Sequence, residues 1–180
     1  MRRVVLLIAM VAAVSNLHGE TYLPEAEAVK IALPNAASVS TEVRQLSPEQ
    51  RGALQHKSRL LFPEPQYKFF VGRDKNDGKA IGYAVIMNEI GKEEFITFIV
   101  GVNTKGEVGE VAILEYRETR GWEVREKRFM HQFHGKKSTD SIQVDSDITN
   151  STGATLSAHA IARGVRKALL LTESFYLHQQ

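Results

Sequence analysis

Phe95-Ile96-Thr97-Phe98-Ile99-Val100-Gly101 is apolar at nearly every position. A strand that is apolar on both alternating faces has to be covered on both, so helices are expected on either side of its sheet. The flanking sequence supplies its neighbours. Residues 67–71, 80–88 and 108–116 read as strands. The segments 74–78, Gly91-Lys92-Glu93 and Thr104-Lys105-Gly106 read as turns. Strands at this spacing, joined by short glycine-containing turns, predict an antiparallel meander. The fold class is α+β: an antiparallel sheet packed with helices.

Upstream, Pro24 followed by Glu25 marks the first turn of a helix that stops at Pro34. Residues 40–45 read as a short strand. Ser47-Pro48-Glu49-Gln50 opens a second helix, with a serine cap, proline at the first position and Gln50 at the capping-box position. It is expected to reach Leu61. Downstream, residues 123–133 read as one helix with Val124, Phe129, Met130 and Phe133 inward, closed by Gly135 and the lysines after it. Residues 138–147 read as a polar connection. The last helix places Leu156, Ala160, Ile161, Gly164, Val165, Ala168 and Leu169 on one face. Arg163, Arg166 and Lys167 fall mostly on the other, as a solvated face or as a docking surface for a partner protein.

The chain has 180 residues, enough for one domain with a small extension. Met1-Arg2-Arg3 followed by an apolar run from Val4 to Val14 reads as a signal peptide over residues 1–19. The run is shorter than the roughly 20 residues that span a bilayer. Cleavage fits after Ser15, with Ala13 at minus three, better than after Gly19. Export to the periplasm or beyond is expected, with membrane association where the leader stays uncleaved. Removing the leader takes two arginines and no acid, so the formal charge falls from +2 to zero. The remaining chain gives no electrostatic reason to expect nucleic acid. It contains no cysteine. Thiol catalysis, cysteine-ligated zinc and iron–sulfur clusters are excluded.

Chemistry concentrates in Ser151-Thr152-Gly153-Ala154-Thr155-Leu156-Ser157, which runs into the last helix. Thr155 falls at or next to the N-cap, where free amides and the helix dipole suit a phosphate. The same residues can equally be a capped helix start and nothing more. Other signals are weaker. His131 and His134 are three apart but have no evident third ligand, so no metal site is assigned. Ser157 lies in no Gly-x-Ser-x-Gly elbow, and no P-loop or Gly-x-Gly-x-x-Gly occurs. Trp122 serves either as core or as a stacking partner for a planar ligand.

The stretch Asp147-Ile148-Thr149-Asn150-Ser151-Thr152-Gly153-Ala154-Thr155-Leu156-Ser157 resembles the flavinylation motif of the FMN-binding domain family. That family includes the G subunit of the Rnf complex and the C subunit of the sodium-pumping NADH:quinone reductase. The loop Glu118-Thr119-Arg120-Gly121 and the end Gln132-Phe133-His134-Gly135 precede the motif in the family's order. The usual motif has an aspartate three residues before its Ser/Thr. Here Thr149 stands at that position, with Asp147 two residues earlier. The resemblance covers residues 79–171 and implies an FMN-binding domain over residues 67–175, preceded by a helical extension over residues 20–66.

The resemblance implies FMN carried as a phosphoester on Thr155. The surrounding Ser151, Thr152, Gly153, Ala154, Leu156 and Ser157 would form the cofactor site. Glu118, Thr119, Gly121 and Trp122 are placed near the ring, where a carboxylate disfavours the anionic reduced flavin. Thr155 is then a modification site and no catalytic residue is assigned. A flavin transferase using FAD and magnesium would load it. The implied function is an exported electron carrier, rather than an enzyme with its own small substrate. It would relay electrons to redox partners such as a membrane electron-transfer complex or a cytochrome. The alternative is a cofactor-free exported binding module in which the threonine stretch is only a helix cap.

Overall fold

In the computed structural model, which describes residues 23–177, the chain runs α1 (Glu25–Ala32), β1 (Ser38–Arg44), α2 (Pro48–Ser58), β2 (Tyr67–Arg73), β3 (Ala80–Ile90), β4 (Phe95–Asn103), β5 (Val108–Tyr116), α3 (Lys127–Met130) and α4 (Thr155–Thr172). The leader and its cleavage points lie outside the described residues. The strands form one sheet in the order β1-β2-β3-β4-β5, each pair antiparallel, which is the expected meander. No helix among the described residues is long and apolar enough to cross a membrane.

β4 is covered on both faces, as its composition requires. Ile96, Phe98, Val100 and Val102 join the larger core, which also contains Ala158, Ile161, Val165 and Leu169 of α4. Ile99 belongs to a smaller core with Ala28, Val29 and Ala32 of α1 and with Phe70, Ala84 and Leu114 of the sheet. Phe98, Ile99 and Val100 are fully buried, and each such side chain contributes about 1.5–3 kcal/mol relative to exposure. β1 pairs with β2 along its whole length, so residues on both sides of position 66 share this sheet. The capping box of α2 forms: Gln50 N donates to Ser47 Oγ (3.1 Å) and Ser47 N donates to Gln50 Oε1 (2.9 Å). The helix stops at Ser58, three residues before Leu61, with Arg59 in the left-handed region.

Three segments depart from expectation. Residues 123–133 are not one helix. A 3₁₀ turn (Trp122–Arg125), an extended Glu126, α3 and a second 3₁₀ turn (His131–Phe133) follow one another. Val124 and Phe129 are five apart, so a continuous helix would separate them by about 140° around its axis. The break at Glu126 resets the phase, and Val124, Phe129, Met130 and Phe133 are all buried.

The 138–147 connection is not merely polar. Ile142, Val144 and Ile148 are buried in the larger core. Asp147 holds the loop, accepting from Gln143 N (2.8 Å), Ile142 N (3.0 Å) and Lys136 Nζ (2.8 Å).

Of the basic residues of α4, Lys167 and Arg163 form ion pairs rather than a solvated face, while Arg166 is half-buried. Lys167 is buried, and its Nζ donates to Glu89 Oε1 of β3 (2.5 Å). Arg163 Nε donates to Glu89 Oε2 (2.6 Å), and Glu89 is itself buried. A Cβ on Gly164 would collide with Phe98 and approach Glu89 Cγ within 2.9 Å. Glycine thus lets α4 come close enough to make these ion pairs.

Candidate functional site

β5 ends at Tyr116, and the chain turns through residues 117–121 to reach the start of α4. Gly121 has φ +80°, and a Cβ there would stand 2.9 Å from Tyr116 Oη, 3.1 Å from Ser157 Oγ and 3.2 Å from Ala154 Cα. Only glycine combines that backbone with that contact. Tyr116 Oη donates to Arg120 O (2.7 Å). Since a phenol has one proton, Ser157 donates to Tyr116 Oη across 2.8 Å. Gly121, Tyr116, Ala154 and Ser157 therefore lock the two sequence motifs together. Ser157 and Ala154 are buried in this clamp.

Thr155 is the first residue of α4 and Ala154 is its N-cap, with no side chain capping the helix. The first-turn amides have no intrahelical carbonyl to bond. Ser151 O accepts from Ala154 N (2.9 Å), closing a turn in which Gly153 sits at φ +83°. This turn presents Thr155 to solvent. Asn150 Oδ1 accepts from Ser151 N (2.8 Å), which directs its amide nitrogen to donate to Thr155 Oγ1 (3.1 Å). The Thr155 hydroxyl is an acceptor in that bond, and its own proton remains available to a base.

The loop before the turn is pinned reciprocally. Thr149 N donates to Gln132 Oε1 (2.7 Å) and Gln132 Nε2 donates to Thr149 O (3.2 Å). Thr149, at the position where aspartate is usual, thus engages through its backbone. Asp147 stays in the loop behind. Burial tends to raise its carboxyl, but Lys136 and the amides of Gln143 and Ile142 outweigh that and hold it at about 2.

The other sequence-chosen residues separate into two groups. Thr119, Trp122 and Leu156 are exposed, with Trp122 at 57% and Leu156 at 52%, so Trp122 is not a core residue. Ser151, Thr152 and Gly153 lie at or near the surface beside Thr155. Glu118 points elsewhere: its Oε1 accepts from the amides of Lys92, Glu93 (2.8 Å) and Glu94 (3.2 Å), capping the β3–β4 turn.

In the sequence, Asn150 and Gln132 carry no evident role, and Glu123 reads only as part of a helix. Asn150 stood inside the quoted stretch, five residues before the threonine, and an Asx side chain before a turn is a recognisable local acceptor. A cavity of about 630 Å³ is lined by Ser151, Thr152, Asn150, Thr149, Gln132, Phe129, Arg128 and Glu123. Glu123 Oε2 is buried and has no hydrogen-bond partner. His131 and His134 stack at 5.5 Å, and His134 Nδ1 bonds to Gly109 O (2.7 Å). No group of three metal-ligating side chains occurs among the described residues.

Residues 91–170 match the family described as FMN-binding domain. The match takes in β4, β5, the Glu118–Gly121 loop and the threonine stretch. No curated protein matches the chain. Residues 91–170 are thus similar to the FMN-binding domain family, and that match supports a flavin-binding protein.

Proposed function

We propose that this protein is an exported electron carrier with FMN joined to Thr155 through a phosphoester. The observation that carries the reading is the state of Thr155: exposed, at the first position of α4, and free of any capping duty. The competing reading, a threonine stretch that serves only as a helix cap, draws no support from a helix without a side-chain cap.

The surrounding residues fit the group. A phosphodiester at Thr155 meets the uncapped end of α4, whose dipole stabilises a negative charge by about 0.3–1 kcal/mol. The turn at Gly153 leaves the hydroxyl accessible to a loading enzyme. Asn150 orients the hydroxyl oxygen, and Gly121 keeps the loop 117–121 against the motif. A buried, unpartnered acceptor on Glu123 awaits a donor in the adjoining cavity. When bound, FMN supplies reversible electron transfer, while the protein fixes its orientation and electrostatics.

Among the described residues the Thr155 hydroxyl is bonded to Asn150 and to no base, so a separate transferase using FAD and magnesium performs the loading. It forms the bond between Thr155 Oγ1 and the phosphorus of the FMN half. It breaks the pyrophosphate linkage, releases AMP and takes up the hydroxyl proton. The tether keeps the flavin at high local concentration outside the cytoplasm, where a dissociable cofactor is diluted away. Electrons then pass between membrane and periplasmic redox proteins. The test is co-production with such a transferase, followed by denaturing electrophoresis. Flavin fluorescence stays with the parent band and is lost from Thr155→Val. Equal fluorescence in both, or none in the parent beside a labelled control substrate, overturns the reading.

A further inference from the structure

Of the two carboxylates on either side of Gly121, Glu118 is committed to the fold and Glu123 is not. Glu118 Oε1 is used by the amides of residues 92–94. Glu123 lies on the opposite side of Gly121, in the 3₁₀ turn Trp122–Arg125. Its Oε2 is shielded from solvent and meets no donor. Its Oε1 lies 3.8 Å from where a Cβ on Gly153 would stand, two residues from Thr155. It shares one cavity with Asn150, Ser151 and Thr152. The cation lining that cavity, Arg128, is mostly exposed and paired with Glu126 (2.6 Å).

We propose that Glu123 is the carboxylate that faces the flavin and sets its reduction potential. This role of Glu123 rests on FMN being joined to Thr155. A buried acceptor without a partner costs about 1–3 kcal/mol, and more when charged. FMN brings donors in its ribityl hydroxyls and in the N3–H of its ring, so binding removes that cost. Reduction adds negative charge to the ring. A carboxylate lining the same cavity, with one oxygen shielded from solvent and Arg128 already paired with Glu126, disfavours that charge and lowers the potential. Glu123 is a positioning and tuning residue and takes part in no bond change. The role that the sequence assigned to Glu118 passes to Glu123.

The experiment uses the full chain loaded by a transferase, as parent, Glu123→Gln and Glu118→Gln. Intact mass first establishes that each carries FMN. If the parent gains no flavin mass, the assignment to Thr155 fails on that measurement, before any potential is read. With loading established, Glu123→Gln shifts the oxidised-to-reduced equilibrium about tenfold towards reduction, about 30 mV for a two-electron couple. Glu118→Gln leaves the potential unchanged and lowers the melting temperature. Equal potentials for parent and loaded Glu123→Gln overturn the proposal. So does failure of a folded Glu123→Gln to load beside a loaded parent, because Glu123 is assigned no part in the transfer to Thr155.

Discussion

The amide nitrogen of Asn150 donates to Thr155 Oγ1 across 3.1 Å, and its carbonyl is held by Ser151 N. The acceptor hydroxyl is thus aimed by a residue five positions earlier. Asn150→Ala removes both side-chain hydrogen bonds, of which the one to Thr155 Oγ1 positions the hydroxyl and is worth about 0.5–1.5 kcal/mol. The rate of flavin transfer to Thr155 falls roughly 2- to 10-fold, while loss of the bond from Ser151 N lowers stability by about 1 kcal/mol. Time-resolved intact mass with limiting transferase reads the rate. An unchanged rate shows that Asn150 has no part in presenting the hydroxyl.

Gly121 is the contact between the two motifs. Gly121→Ala forces a left-handed residue to carry a Cβ into Tyr116 Oη, Ser157 Oγ and Ala154. Strain of this kind costs about 1–3 kcal/mol. Urea unfolding gives the stability loss, and the transfer rate falls with it because the start of α4 shifts. Tyr116→Phe, which leaves Ser157 and Arg120 O without their shared partner, costs a similar amount.

Glu89 binds both Arg163 and Lys167, and Glu89 and Lys167 are buried. Glu89→Ala leaves the Lys167 ammonium buried without its carboxylate and costs about 3–5 kcal/mol. The pair Glu89→Leu with Lys167→Met replaces the buried charges by apolar groups and recovers most of that loss. Chemical denaturation of the single and double variants measures both effects. A Glu89→Ala protein as stable as the parent contradicts this account of α4 docking.

Asp147 has its carboxyl held at about 2, below the ordinary 3.8. Its folded-state pKa is depressed, so its contribution is present above the unfolded value and is lost as pH falls through the folded value. The window runs from about pH 4 down to about pH 2 and amounts to about 2 kcal/mol. Asp147→Asn removes this part of the acid sensitivity and lowers stability at neutral pH. Melting temperatures at pH 7 and pH 3 for parent and variant read the difference.

The sheet was legible because β4 is apolar on both faces and its turns are short and polar. The buried face of α4 was legible from its helical spacing except at Leu156, which lies in the first turn and is exposed, and the threonine stretch and Gly121 from their resemblance to a known motif. What escaped depends on distant partners. Lys167 and Arg163 look solvated until Glu89, 78 and 74 positions away, is brought beneath them. Residues 123–133 look like one helix because their apolar content is right, but the five-residue step from Val124 to Phe129 requires a break. The packed loop before the motif was hidden by its polar majority. Glu123 and Gln132 enter the site only because that loop folds back onto the α3 segment.

The central claim is that Thr155 carries the flavin. The most direct measurement is the intact mass of the protein produced with a flavin transferase, beside Thr155→Ala made in the same way. The parent gains the mass of FMN less one water and the variant gains nothing. A parent without the gain, while the transferase modifies a control substrate, contradicts the claim, as does an equal gain in the variant.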